Sequence, residues 1–566
     1  MARFSTKKVA VEPTETNFMG EKAFKLKEKE ELVSTVMTTF LEDSYYEKQN
    51  EIVDRITSLL DKVDPLFAAK LAIYARNNGN LRSVTHLMAA YIARNLQNKD
   101  WAKRFYKRVV IRPDDMTEIL SAYAKLNGMS DNDVKKIPNS MKKGFKEALE
   151  GLDAYRIDKY KMKTRSFSLV DLVRLFHPKA TQKNAEAYKR LIEGKSLADL
   201  YSSKILEKEM TKAGQKTKDM TEKDKVEAKK EAITTVINNV KGMPVMNLLR
   251  NLRNILLYAP DKVTEACEQL TIKDKIMNSR LLPFRFATAY SEIEKMSYYT
   301  EISSTKSSIQ FEDEKSSSLC SENEFRQNKE MILNAIEKAL EISCLNIPKL
   351  EGNVAVLVDD SGSMRGDAGG SSRVSAFSKT STSMIAHLFA SMVMYRQDNV
   401  YLGLFGDKLI NVPVKRDMRL LDYTKWTYEK GGECGGATET GIYDFIRQVV
   451  KEKKKIDNVI VFSDCQIGSI HTKGYYGGYN EFTAWYGNDR SDRGKHFHEL
   501  FKEFRKINPN ANFIVVNLRQ SGSTSVFDNS QRILNIAGWS DKIFDVITSQ
   551  CKGWDAMIKE IESIKI

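Results

Sequence analysis

Residues Val354–Val358 form an unbroken apolar run that stops abruptly at Asp359-Asp360-Ser361-Gly362-Ser363. A run this short and this rich in valine reads as a strand, and a parallel sheet is the setting in which such strands occur. Its carboxyl end carries an Asp-x-Ser-x-Ser spacing. Asp359, Ser361 and Ser363 are hard oxygen donors of the kind that suit Mg²⁺ first, with Ca²⁺ or Mn²⁺ as alternatives. Gly362 lets the backbone turn sharply between the two serines. The competing reading is turn chemistry alone, for which Asp, Ser and Gly serve equally well.

The pattern after Pro348 extends the constraint. Strand signals at 353–358, 400–405, 409–414, 458–462 and 512–518 alternate with helical signals at 376–395, 441–451 and 497–507. Alternation of this kind implies an α/β doubly wound unit with a largely parallel sheet. The region from about residue 30 to 345 is different. Amphipathic segments such as 31–41, 47–63, 65–77, 81–96 and 116–126 recur with short polar or Gly/Pro breaks. Asp64-Pro65 is a helix start signal, and Asn77-Asn78-Gly79-Asn80 is a stop. Successive helical pairs predict an all-α, HEAT-like helical-repeat array, although no strict sequence repeat is present. The expected division is a polar, extended or loosely attached arm at 1–29, a helical-repeat unit at 30–347 and an α/β unit at 348–566. Lys204–Lys230, Ser303–Asn328 and the Gly/Tyr/Trp-rich stretch 470–494 read as solvated inserts.

The chain of 566 residues carries a net charge of +14. Residues 351–566 contain 28 Lys+Arg and 26 Asp+Glu, so +12 of the excess lies in residues 1–350. That asymmetry fits a polyanion-binding helical half, or lysine-rich helices that are merely soluble. No run approaches the 18 apolar residues of a membrane span, and the first residues lack a secretory apolar core; a cytoplasmic protein with no membrane partner is expected. The six cysteines form no C-x-x-C pair, which argues against a zinc ribbon or disulfide framework. His496 and His498 are the only close histidines and read as a solvated helix face.

In a doubly wound sheet, ligands bind at the carboxyl ends of the strands where strand order reverses. Asp359 ends one strand and Asp464, in VIVFSDCQ, ends another. If those strands are neighbours, the Gly-rich loop Gly435–Thr440 can bring Thr438 to the same point. The candidate constellation is Asp359, Ser361, Ser363, Thr438 and Asp464. It resembles the metal-ion-dependent adhesion motif of von Willebrand factor A domains, with two departures. Ala437 intervenes where the family has Gly-Gly-Thr, and Asp360 is an additional carboxylate, which strand alternation directs away from Asp359. A cation so held leaves positions for a partner's carboxylate. No general base stands beside an obvious nucleophile, so no enzyme is expected.

The helical half resembles the TROVE module of Ro ribonucleoproteins. The resemblance is carried by Ile137–Lys179 (IPNSMKKGFKEALEGLDAYRIDKYKMKTRSFSLVDLVRLFHPK), Lys241–Asn254 (KGMPVMNLLRNLRN) and Ser279–Tyr290 (SRLLPFRFATAY). The passage ALEISCLNIPKLEGNVAVLVDDSGSM has the same layout, so the likeness runs from about residue 20 to the end. It implies a helical ring sealed by the α/β unit. Small structured noncoding RNA of the Y type would bind the basic outer surface, and single-stranded 3′ ends of misfolded RNA would enter the hole. The implied contacts are Lys142, Lys143, Lys159, Lys161 and His177. Lys163 and Arg165 are alternatives for one contact, because one residue appears inserted. Arg250, with Arg253 one turn on, either lines the hole or is a solvated face.

The residues also make sense without the family. Lys159, Lys161, Lys163 and Arg165 alternate through a loop where their heads can track phosphates. His177 either stacks on an unpaired base or caps a helix, and Phe176 either stacks or belongs to the core. The leading expectation is a noncatalytic RNA-binding protein acting in RNA quality control or as a scaffold, with an exoribonuclease as a candidate protein partner. The alternative is a metal-dependent protein-interaction scaffold with RNA binding secondary. A metal-using hydrolase is the third and weakest reading.

Overall fold

The computed structural model describes residues 13, 15–16, 22–25, 27–38, 49–79, 81–95, 100–129, 137–162, 167–201, 228, 231, 234, 240–279, 281, 283–298, 321–347, 349–366, 381–435, 441–464, 497–518, 524–525, 532–537, 547 and 554–566. The first two strands are β1 (Glu15–Thr16) and β2 (Lys22–Lys25). Helices follow: α1 (Glu28–Thr38), α2 (Gln49–Lys62), α3 (Pro65–Asn77), α4 (Ser83–Asn95), α5 (Ala102–Val109), α6 (Pro113–Leu126), α7 (Asn139–Glu150), α8 (Ala154–Lys159), α9 (Leu169–Phe176) and α10 (Ala185–Ile192). Beyond these lie α11 (Val245–Tyr258), α12 (Val263–Thr271), α13 (Lys273–Ser279), α14 (Pro283–Glu294) and α15 (Glu322–Cys344).

The local signals explain the boundaries. Asp64 Oδ2 accepts from the Phe67 amide at 3.0 Å, and Pro65 opens α3 as its start signal implied. Ser321 Oγ accepts from the Glu324 amide at 3.2 Å, so a helix begins inside the stretch read as a Ser-rich insert; residues 322–328 belong to α15. The rest of that insert, most of 204–230 and all of 470–494 lie outside the described residues. Helices stack in neighbouring pairs, α3 on α4 and α5, α4 on α6, α5 on α7 and α7 on α9. The α5–α7 crossing is close because Gly144 has no side chain. A Cβ there would lie 2.5 Å from Tyr106 Cβ and 2.8 Å from the Lys103 carbonyl oxygen.

The α/β half follows with β3 (Val354–Asp359), α16 (Gly362–Arg365), α17 (Thr382–Arg396), β4 (Val400–Phe405), β5 (Leu409–Val412), α18 (Leu420–Gly431), α19 (Gly441–Glu452), β6 (Asn458–Ser463), α20 (Phe497–Ile507) and β7 (Asn512–Asn517). It ends with β8 (Thr524–Ser525), β9 (Ile533–Ala537) and α21 (Trp554–Glu562). The main sheet has the order β5-β4-β3-β6-β7-β9, and every neighbouring pair is parallel except β4–β5. Alternate residues divide its two faces. Val354, Val356 and Val358 join a core that runs on through the helical half, whereas Ala355 and Leu357 pack with α19 and α20. His498 of α20 is buried, which corrects its reading as a solvated residue; His496 lies outside the described residues.

The α/β half meets the helical array at both ends and closes it into a ring. At one end α15 packs on α17 and α18, and Arg419, immediately before α18, and Lys425 within it pair with Glu337 and Glu294 at 3.0 and 2.8 Å. At the other, α1 and α3 pack on α21 and α1 packs on β9. Lys29 pairs with Glu562 at 2.7 Å, and the Lys70 ammonium donates to the Glu562 carbonyl. The N-terminal segment, read as loosely attached, is tied down through antiparallel pairing of β2 with β8. No helix among the described residues is long and apolar enough to cross a membrane.

The tight α5–α7 crossing yields a stability prediction. Gly144→Ala should lower stability by about 1–3 kcal/mol, the usual range for an overpacked interior. Urea unfolding followed by circular dichroism reads the change, and a midpoint equal to the parent's would refute the crossing geometry.

Candidate metal centre and nucleic-acid interface

β3 runs to β4 on one side, whereas β6 and β7 lie on the other, so strand order reverses between β3 and β6. Val358 is paired with Phe462 across that gap. The next residue outward on β3 is Asp359, which ends the strand; on the neighbouring strand Ser463 ends β6 and Asp464 follows it, and Asp359 and Asp464 are both fully buried. This is the crevice that a doubly wound sheet offers to ligands.

The structure brings four of the five candidate metal ligands together. Ser363 Oγ donates to Asp464 Oδ2 at 2.6 Å, and Ser361 Oγ lies 3.2 Å from Ser363 Oγ. The Ser361 amide donates to Asp359 Oδ1 at 2.9 Å. Thr438 lies outside the described residues. Ser463, which sequence reasoning did not single out, donates its hydroxyl to Asp359 Oδ2 at 2.5 Å. Its place directly before Asp464 on a neighbouring strand was the available signal.

The electrostatics are those of an anionic oxygen cluster. Burial pushes the Asp359 carboxyl well above the usual carboxylate range, and the neighbouring Asp464 charge adds to the rise. Among the described residues Asp359 has no ion-pair partner. A buried carboxylate without compensating positive charge is costly. A hard divalent cation would supply that charge, and Asp359, Ser361, Ser363 and Asp464 fit such an ion by type and by proximity.

Asp360 turns the other way, as alternation required. Its Oδ1 accepts from Arg365 Nη1 at 2.7 Å and Ser383 Oγ at 2.6 Å, and Oδ2 lies 2.9 Å from His387 Nε2. Burial alone would raise its pKa, but His387, Ser383 and Arg365 together hold it below the ordinary value. Arg365 also donates to the Tyr428 carbonyl at 2.9 Å, and its guanidinium lies 4.0 Å from the Tyr428 ring centroid. Gly431 closes the fit, since a Cβ there would lie 2.0 Å from Asp360 Oδ2. The extra carboxylate thus anchors the turn after β3 to α17 directly and to α18 through Arg365, and stays out of the oxygen cluster.

The basic candidates separate into distinct environments. Lys142 and Lys143 lie on α7, half-buried and exposed respectively. Lys159 is exposed at the end of α8, its ammonium 5.5 Å from the Tyr155 ring centroid. Lys161 is drawn back to buried Asp158 at 2.9 Å, which leaves it less available than its place in the alternating run implied. Lys163 and Arg165 lie outside the described residues. His177 ends α9 in a left-handed conformation (φ 46°), its amide donating to the Val173 carbonyl at 3.0 Å; its side chain is exposed. Phe176 is core, edge-on to Phe145 at 5.5 Å. Arg250 is exposed on α11, more than 70 residues along the chain from the Lys142–His177 group.

A helical-repeat ring closed by an α/β unit that carries an oxygen-lined crevice defines the class. The TROVE domain family matches residues 11–241 and 228–352, more than half of the chain, and the chain belongs to that family. The crystal structure of the Deinococcus radiodurans Ro (Rsr) protein superposes with a TM-score of 0.58 at 16% identity, covering 93% of this chain and 99% of that one. Telomerase protein component 1 of Rattus norvegicus is 24% identical over 119 residues, which is 20% of this chain and 4% of that protein.

The Asp360 anchor generates a prediction. Arg365→Met should cost about 1.5–3 kcal/mol, the worth of a hydrogen bond to a charged group. Chemical denaturation is the measurement, and an unaltered unfolding free energy would mean that Asp360 does not depend on Arg365.

Proposed function

We propose that this chain is a noncatalytic RNA-binding protein whose closed helical ring takes RNA and whose crevice takes a divalent cation for docking a partner. The observation that carries the reading is membership of the TROVE family across residues 11–352, on the half of the chain that holds the excess positive charge. The basic outer surface, with Lys142, Lys143, Lys159 and His177, and Lys163 or Arg165 beside them, binds a small structured noncoding RNA of the Y type. The hole, with Arg250 at its lining, receives single-stranded 3′ ends of misfolded RNA. Exposed cations at Lys143, Lys159 and Arg250 support this, because phosphate contacts dominate affinity for polynucleotides. The protein acts in cytoplasmic RNA quality control or as an RNA scaffold.

Asp359, Ser361, Ser363 and Asp464, with Thr438 as the fifth donor, hold the cation, Mg²⁺ before Ca²⁺ or Mn²⁺. The bound ion supplies an electrophilic position for an acidic side chain of a protein partner such as an exoribonuclease. The uncompensated buried charge of Asp359 supports this docking role alongside RNA binding.

Two experiments test these roles separately. The triple variant Lys143→Glu, Lys159→Glu, Lys163→Glu should bind a fluorescein-labelled RNA hairpin at least tenfold more weakly. Its plot of log K against log salt should be flatter by about one unit for each lost phosphate contact. Equal affinity and equal slope in a filter-binding titration would remove these lysines from the interface. Asp359→Ala and Asp464→Ala should each abolish Mg²⁺ binding in calorimetry while the circular dichroism spectrum is retained; ordinary Mg²⁺ uptake by either variant would rule out the assigned crevice.

A further inference from the structure

Helix α6 opens on two consecutive buried carboxylates, Asp114 and Asp115, surrounded by three arginines that sequence reasoning did not single out. Asp115 is fully buried. Its Oδ2 accepts from Arg76 Nη2 at 2.8 Å and from the Ile111 and Arg112 amides at 3.0 and 2.9 Å. Its Oδ1 faces His86 Nε2 at 3.0 Å and Arg82 Nη2 at 3.2 Å. Asp114 Oδ2 accepts from both Arg82 Nη2 and Arg112 Nη2 at 2.8 Å, and Asp114 Oδ1 takes Arg112 Nε at 2.9 Å.

Two features of this cluster go beyond what holding α3, α4 and α6 together requires. The first is charge. Buried His86 is kept neutral, since burial lowers its pKa, so three guanidiniums face two carboxylates and one positive charge is left over. The second is geometry. Arg82 and Arg112 are 34% and 40% exposed, and each docks only one edge on the carboxylates. The Nη1 group of each has no hydrogen-bond partner among the described residues, and neither is a buried orphan. Two planar guanidiniums held on one carboxylate oxygen therefore turn spare donors to solvent, their rotamers already fixed. That is the arrangement which suits a tetrahedral oxyanion and which a flexible lysine does not supply. The cluster also joins the candidate interface. The Arg112 guanidinium lies 4.9 Å from the Tyr160 ring centroid, and the Lys159 ammonium lies 5.9 Å from the same centroid.

We propose that Arg82 and Arg112, held from behind by Asp114 and Asp115, form a preorganised site for one phosphodiester group of RNA, continuous through Tyr160 with Lys159. The proposal rests on the RNA-binding reading above. Lysines on the outer surface give salt-dependent affinity; this fork fixes where the RNA backbone sits.

The test uses the full chain with two probes, a fluorescein-labelled oligouridylate and a fluorescein-labelled RNA hairpin. The double variant Arg82→Lys, Arg112→Lys keeps the charge and removes the fork. It should bind at least one probe about tenfold more weakly with an unchanged salt slope, because contact geometry is lost while charge is kept. In the unaltered chain, phenylglyoxal modification of Arg82 and Arg112, read by peptide mass spectrometry, should fall severalfold when that probe is bound. The footprint decides the matter if the double variant does not fold. Parental affinity of a folded variant, or arginines modified equally with and without RNA, would overturn the site and leave the RNA-binding reading standing. If the unaltered chain binds neither probe, the RNA-binding reading fails, and the site with it.

Discussion

The structure depends on one shared apolar core. Val354, Val356 and Val358 of β3, with Ile460 and Phe462 of β6, bury one sheet face in a cluster that continues through α17 into the helical array. Burial of apolar area is the dominant favourable term in folding, and it acts here on both halves at once. A consequence is that the crevice at the carboxyl ends of β3 and β6 is not carried on an independent module. The turn after β3 is tied through Arg365 to α18, and α18 is tied through Arg419 and Lys425 to α15 and α14.

Three buried aspartates show how differently one residue type can be accommodated. Asp115 is surrounded by arginine, histidine and backbone donors and is held well below the usual carboxylate range; burial opposes this and is outweighed. Asp360 is treated similarly by His387, Ser383 and Arg365. Burial first, and the neighbouring Asp464 charge second, raise the Asp359 carboxyl against the hydroxyl and amide donors that it accepts from. The first two carboxylates are given cationic partners. The third is given none among the described residues, and that is the charge a divalent cation would supply.

Much of this was legible in the sequence because the relevant signals are local. Strand length and the Asp-x-Ser-x-Ser turn located β3 and the oxygen donors that follow it. Helix periodicity and caps such as Asp64-Pro65 located α3 to the residue, and the alternation rule sent Asp360 away from Asp359. The misses have physical causes as well. Strand β9 forms by parallel pairing along β7, and helix α18 packs on α17 and α15, long-range partners that no local pattern names. Lys161 looked like its neighbours in the basic run until buried Asp158 claimed it. Arg82 and Arg112 are 30 residues apart and ordinary in composition, and only folding gathers them on Asp114.

The sequence by itself determined the two architectures and the donor types available at the crevice. Periodicity, turn chemistry and donor type are properties of neighbouring residues and survive without knowledge of the fold. Tertiary structure decided what depends on distance through space: that β3 and β6 are adjacent, that the array closes on itself, and which buried charges find partners. Those outcomes follow from strand order and helix packing, which bring together residues that no local pattern relates.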